Sequence, residues 1–69
     1  MDKLQISLAA ARVNAGKTQS DVAKEMHISK QTLGNWEKGK VIPRFAQLVM
    51  LCNLYGIDQE NILLPEKST

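Results

Sequence analysis

The sequence predicts an all-α fold, a compact bundle of five short helices. Three observations carry that expectation. A chain of 69 residues has room for one domain, and burying a core at this length is difficult; short-range helical contacts are the readiest solution. Apolar residues recur at spacings of three and four along successive segments. Each segment is bracketed by residues suited to capping or stopping a helix. With 43% hydrophobic and 4% aromatic residues, the composition is that of a globular protein with an aliphatic core.

The elements follow in order. A first helix is expected over about residues 3–15, capped by Asp2 and ended by Gly16 in a left-handed C-terminal position. A second spans about residues 19–26 and a third about 30–38, with Gly39 ending it. Pro43 stands where a proline is tolerated in a first turn, so a fourth helix is expected from there to Tyr55, before Gly56. Asp58 is placed to cap a short fifth helix reaching residue 63 or 64. Residues 1–64 form the domain on this reading, and residues 65–69 a polar, flexible tail. No repeat or linker interrupts the chain.

Periodicity also names a core. Leu4, Leu8 and Ala11 form the inner face of helix one, and Val22, Ala23 and Met26 that of helix two. Ile28 follows from the turn, then Leu33 and Trp36 from helix three. Phe45, Leu48, Leu51, Cys52 and Tyr55 make the stripe of helix four, and Ile57, Ile62 and Leu63 close the bottom. Ala23 falls where helices two and three are expected to cross most closely.

The segment TQSDVAKEMHISKQTLGNWEKG, residues 18–39, is the most informative. Thr18 suits the start of a helix, with Asp21 three residues on as the return partner of a capping box. His27 and Ile28 break the helical period, and Ser29 is suited to cap the next helix. In that helix Leu33 and Trp36 share one face, while Lys30, Gln31, Thr32 and Asn35 crowd the other. Two short helices joined tightly, the second displaying hydrogen-bonding side chains, suit insertion into the major groove of DNA. The pattern is a helix-turn-helix.

These residues resemble the phage-repressor and Cro type of helix-turn-helix, the xenobiotic-response-element family of bacterial regulators. The matching positions are Thr18 and Gln19, Ala23, Ser29, Leu33, the Trp36-Glu37-Lys38-Gly39 run and Pro43, then Leu48, Leu51, Cys52, Tyr55 and Ile57. With Leu4, Leu8 and Arg12 upstream, the resemblance covers roughly residues 4–64. It implies a lambda-repressor-like DNA-binding domain acting in a bacterial cytoplasm or nucleoid, whether of phage or chromosomal origin. It further implies a structural ion pair between Arg12 and Glu37, the alternative being that Arg12 contacts phosphate. Family members usually carry Gly where this chain has His27. Histidine tolerates positive φ better than most residues, and a metal or pH role for it is the competing reading. At Gly34, which costs roughly 1 kcal/mol of helix stability relative to Ala, a close approach to DNA is the reason the resemblance suggests.

Side-chain chemistry then assigns roles at the reading head. Gln31 can pair bidentately with adenine, Lys30 can donate to guanine, Thr32 can meet a thymine methyl or a phosphate, and Asn35 can read a further base edge. Gln19, Ser29, Lys38, Lys40 and Arg44 are the phosphate contacts expected around them. Charge distribution agrees: residues 1–44 hold eight Lys or Arg against four Asp or Glu, whereas residues 45–69 hold one against three.

Several classes are set aside. One His, one Cys, no paired carboxylates and no phosphate-binding glycine loop argue against an enzyme, a metal site or a cofactor. No secretory leader is visible, and the apolar run at 45–55 is too short to span a bilayer. Cys52, the single cysteine, reads as a small core residue in a reducing compartment rather than a redox switch. No small-molecule ligand is indicated. Met50, Leu54, Ile57 and Leu64 lie off or beyond the core stripe, with Val49 at its edge. They predict a symmetric homodimer whose recognition helices lie about 34 Å apart on a palindromic operator. The expected function is sequence-specific binding of double-stranded DNA by a small regulator, most simply a repressor. The rival is a protein-interaction module, such as an antitoxin or anti-repressor.

Overall fold

A computed structural model describes residues 4–64 of the chain. It contains four α-helices, α1 (Leu8–Asn14), α2 (Gln19–Met26), α3 (Lys30–Lys38) and α4 (Phe45–Tyr55), followed by one 3-10 turn, Gln59–Asn61. The all-α class stands, with four helices instead of five. The expected cap Asp2 and the tail 65–69 lie outside the described residues.

Local chemistry explains the central pair. Thr18 Oγ1 accepts from the Asp21 amide at 3.1 Å, and the Asp21 carboxylate accepts from the Thr18 amide at 3.0 Å, a reciprocal box that starts α2. His27 ends it at φ 57°, the left-handed region that histidine enters more readily than branched residues. Ser29 Oγ takes the Thr32 amide at 3.0 Å and starts α3. Gly39, at φ 82°, stops it. The α2–α3 contact is the most extensive between elements; α1 packs on both α3 and α4, and the 3-10 turn packs on α4. Leu8, Val22, Leu33 and Leu51, one from each helix, are fully buried at the centre. Each contributes roughly 1.5–3 kcal/mol of burial free energy.

Three elements depart from expectation. Helix α1 begins at Leu8, capped by Ser7, whose hydroxyl accepts from the Ala10 amide at 3.0 Å. Among the described residues before it, Ile6 and Ser7 are extended. Ile6 donates to the Asn61 carbonyl at 2.9 Å and accepts from the Leu63 amide at 2.8 Å, forming a parallel bridge between Ile6 and Ile62. The backbone groups that a longer helix would have satisfied internally are met instead by the other end of the domain. Leu4, expected in the core, is therefore 77% exposed.

The same bridge shortens the C-terminal element. Ile62 is extended, at φ −99° and ψ 127°, so only one 3-10 turn forms, and Asp58 makes no side-chain capping bond. Ile62 is buried, as expected, but the alternation of extended backbone leaves Leu63 exposed. At α4, Arg44 rather than Pro43 flanks the helix: its backbone is extended, and its amide donates to Gln47 Oε1 at 2.9 Å. Pro43 is buried one residue before that cap. Phe45 becomes the first helical residue, beyond the reach of the core, and is 71% exposed.

Candidate nucleic-acid interface

The residues singled out for base contact all lie on α3. Lys30 and Gln31 are exposed in its first turn, and Thr32 and Asn35 are half-buried. A cleft lined by Gln19, Lys30, Gln31, Gly34, Asn35, Lys38 and Lys40 joins the start of α2 to this face. Three lysines and four polar or small residues line it, with no carboxylate among them, which suits a polyanion. A second depression shares Gln19 and Lys30 and runs round the start of α2, adding Arg12, Lys17, Thr18 and Ser20. Lys17 and Ser20 were passed over in the sequence because neither lies on a periodic face; only the fold brings the α1–α2 turn beside Lys30.

Ser29, Thr32 and Arg44 stand outside the cleft lining. Ser29 Oγ is occupied by its cap to the Thr32 amide, and it also shares a hydrogen bond with the Thr32 hydroxyl at 2.8 Å. Arg44 is exposed beyond the α3–α4 loop.

Behind the cleft lies a polar network that joins three helices. Arg12 Nε donates to Glu37 Oε2 at 2.8 Å, with the side chains 14% and 7% exposed, and Arg12 Nη2 reaches Oε1 at 3.4 Å. Arg12 Nη1 donates to the Lys17 carbonyl at 3.0 Å, tying down the α1–α2 turn. Gln19 Nε2 donates to Glu37 Oε1 at 2.9 Å. The hydrogen bond to Glu37 is the main cause holding the Arg12 pKa above its ordinary value, against the opposing effect of burial. No sequence spacing signals the Gln19–Glu37 contact, because it crosses between helices.

Two further titratable groups, Tyr55 and Cys52, are buried in the core. Burial pushes the Tyr55 hydroxyl up to about 12, with nearby Glu37 adding and Arg12 opposing. Among the described residues that oxygen is buried without a hydrogen-bond partner. Burial likewise raises the Cys52 thiol, which disfavours the reactive thiolate. Among the described residues no group of His, Cys, Asp and Glu could hold a metal ion, and no helix is long and apolar enough to cross a membrane.

Of the residues assigned to a dimer, Met50 is 50% exposed. Leu54, Ile57 and Leu64 are partly buried against the core. Val41, Ile42 and Phe45 are exposed apolar residues that the sequence reading left out of this surface.

No curated protein matches the chain. A family model described as helix-turn-helix matches residues 8–58, from the first residue of α1 to the residue before the 3-10 turn. That span takes in all four helices, the capped α2–α3 pair and the Arg12–Glu37 contact. The chain belongs to the Cro/C1-type helix-turn-helix family of DNA-binding transcription regulators.

Proposed function

We propose that the protein binds double-stranded DNA sequence-specifically, with α3 lying in the major groove, and that it acts as a repressor by occupying an operator. The observation that carries this reading is the cleft: Lys30, Gln31 and Asn35 line it beside Lys38, Lys40 and Gln19 with no carboxylate among them. Gln31 and Lys30 present base-reading chemistry; Asn35 lies one turn further along. Lys38 and Lys40 supply phosphate contact, Gln19 does so from the start of α2, and Arg44 and Ser29 flank them.

A reading head this small gains affinity and register from a second copy. Helix α4 supports a symmetric homodimer, since none of its residues from Phe45 to Tyr55 is charged and Met50 projects from it. Two recognition helices would then meet half-sites about 34 Å apart on a palindromic operator. The protein-interaction alternative finds support in the exposed Val41, Ile42 and Phe45.

Selection of bound duplexes from a random pool at moderate salt tests the proposal. An enriched inverted repeat is expected, bound with an affinity that falls steeply as salt rises. If no sequence is enriched, and a protein partner is held undiminished at high salt, the interaction-module reading replaces it.

A further inference from the structure

We infer that Glu37 is a positioning residue for DNA contact, acting through Gln19 and not only as the anchor of Arg12. The inference rests on the reading that the α3 cleft faces DNA. Gln19 opens α2, yet its side chain crosses to α3, where Nε2 donates to Glu37 Oε1 at 2.9 Å. An ionised carboxylate only accepts hydrogen bonds, so it dictates the polarity of the amide. The nitrogen must face Glu37, which leaves one N–H and the oxygen for a ligand. An unanchored glutamine has several rotamers to freeze on binding, whereas this one is already held.

Two further features belong to the same arrangement. A Cβ built on Gly34 would stand 4.0 Å from Gln19 Nε2 and, beyond its chain neighbours and the backbone of its own helix, would meet no other described atom that close. The amide therefore lies beside the one position of α3 that carries no side chain, and the cleft includes both. Arg12 completes the arrangement by pairing with Glu37 at 2.8 Å. Without that partner, a carboxylate behind the cleft would repel phosphates. The amide that results offers a phosphate oxygen its N–H, or a base amino group its oxygen.

The test is a double-mutant cycle on binding. The probes are the duplex recovered by selection and a mixed-sequence duplex of about 20 base pairs at low salt. Gln19→Met keeps the side-chain length but cannot donate, and Glu37→Gln keeps the shape but loses the charge; melting curves check that each variant is folded. Each single change is expected to weaken binding by about tenfold. The double variant is expected to bind like Gln19→Met alone, because Glu37 then has nothing to position. Losses that multiply in the double variant overturn the inference, since Glu37 would then act on the fold or the field. If Gln19→Met binds as the parent does while Lys38→Ala binds more weakly, Gln19 is off the DNA; the inference falls and the reading stands. If the parent binds neither duplex, the reading itself falls and takes the inference with it.

Should Glu37→Gln not fold, nuclear magnetic resonance puts the question to the folded parent. The side-chain amide of Gln19 is expected to be rigid and distinct in the free protein and to shift on titration with the duplex. An amide that is mobile and unshifted overturns the inference.

Discussion

Glu37 is nearly dry, and its two oxygens serve Arg12 and Gln19. Removing either charge of such a pair costs far more than the pair contributes net, because the survivor is stranded. Arg12→Met is therefore expected to lower unfolding free energy by about 3 kcal/mol, at the low end for buried pairs since some exposure remains. Urea denaturation reads this directly, and adding Glu37→Leu should recover much of the loss. The exposed residues of α3 behave differently. Gln31→Ala is expected to relax base preference without changing the melting temperature. Lys38→Ala should weaken binding to all duplexes about equally and lower the salt slope by about one. Tyr55 gives an alkaline signature. The unfolded phenol ionises near 10 and the native one near 12, so between those values the native state holds more protons and stability falls as pH rises. Tyr55→Phe is expected to remove up to roughly 2 kcal/mol of that decline at pH 12. At neutral pH it should cost little, because the hydroxyl has no partner among the described residues to lose.

At the scale of the element, α2 depends on a carboxylate in its first turn. The Thr18 amide, then the Thr18 hydroxyl, hold the Asp21 carboxyl below its ordinary value of 3.8. A group lowered on folding contributes stability that is present above the unfolded pKa and lost as pH falls through the folded one. Asp21→Asn is thus expected to flatten the acid limb of the stability curve below about pH 4, as followed by helical circular dichroism. Helices α2 and α3 were fully legible because every determinant is local: a capping box, a left-handed His27, a serine cap and a glycine stop lie within 22 consecutive residues, Thr18 to Gly39. The starts of α1 and α4 were not. Asp2 and Ser7 are both good caps, and Pro43 and Arg44 both fit a helix start. Local chemistry does not choose between them.

At the scale of the molecule, the start of α1 is decided by the bridge between Ile6 and Ile62. Two backbone hydrogen bonds, the Asn61 side-chain bond to the Leu4 carbonyl at 2.8 Å and a Gln5 contact to the Glu60 carbonyl join the two ends of the domain. This pairing replaces the first turns of the expected helix one and most of helix five. The proposed dimer is also a whole-molecule property. Met50 projects from an uncharged helix, so Met50→Lys is expected to dissociate a dimer while leaving the melting temperature nearly unchanged. Sedimentation equilibrium reads the association, and weaker operator binding should accompany it. A monomeric parent that binds DNA as well as the variant does would remove α4 from the interface.

By itself the sequence determined the all-α class, the helix-turn-helix with its caps, the central Leu8, Val22, Leu33 and Leu51, and which side chains crowd the outer face of α3. These follow from periodicity and short-range hydrogen bonding, which operate over a few residues and so are written in consecutive positions. The tertiary structure alone decided that residues 4–6 pair with 60–63, that Phe45 and Leu63 leave the core, and that Gln19 is held by Glu37. The two pairings join residues distant in the chain, so their partners are chosen by how the helices pack. No spacing in the sequence records that choice.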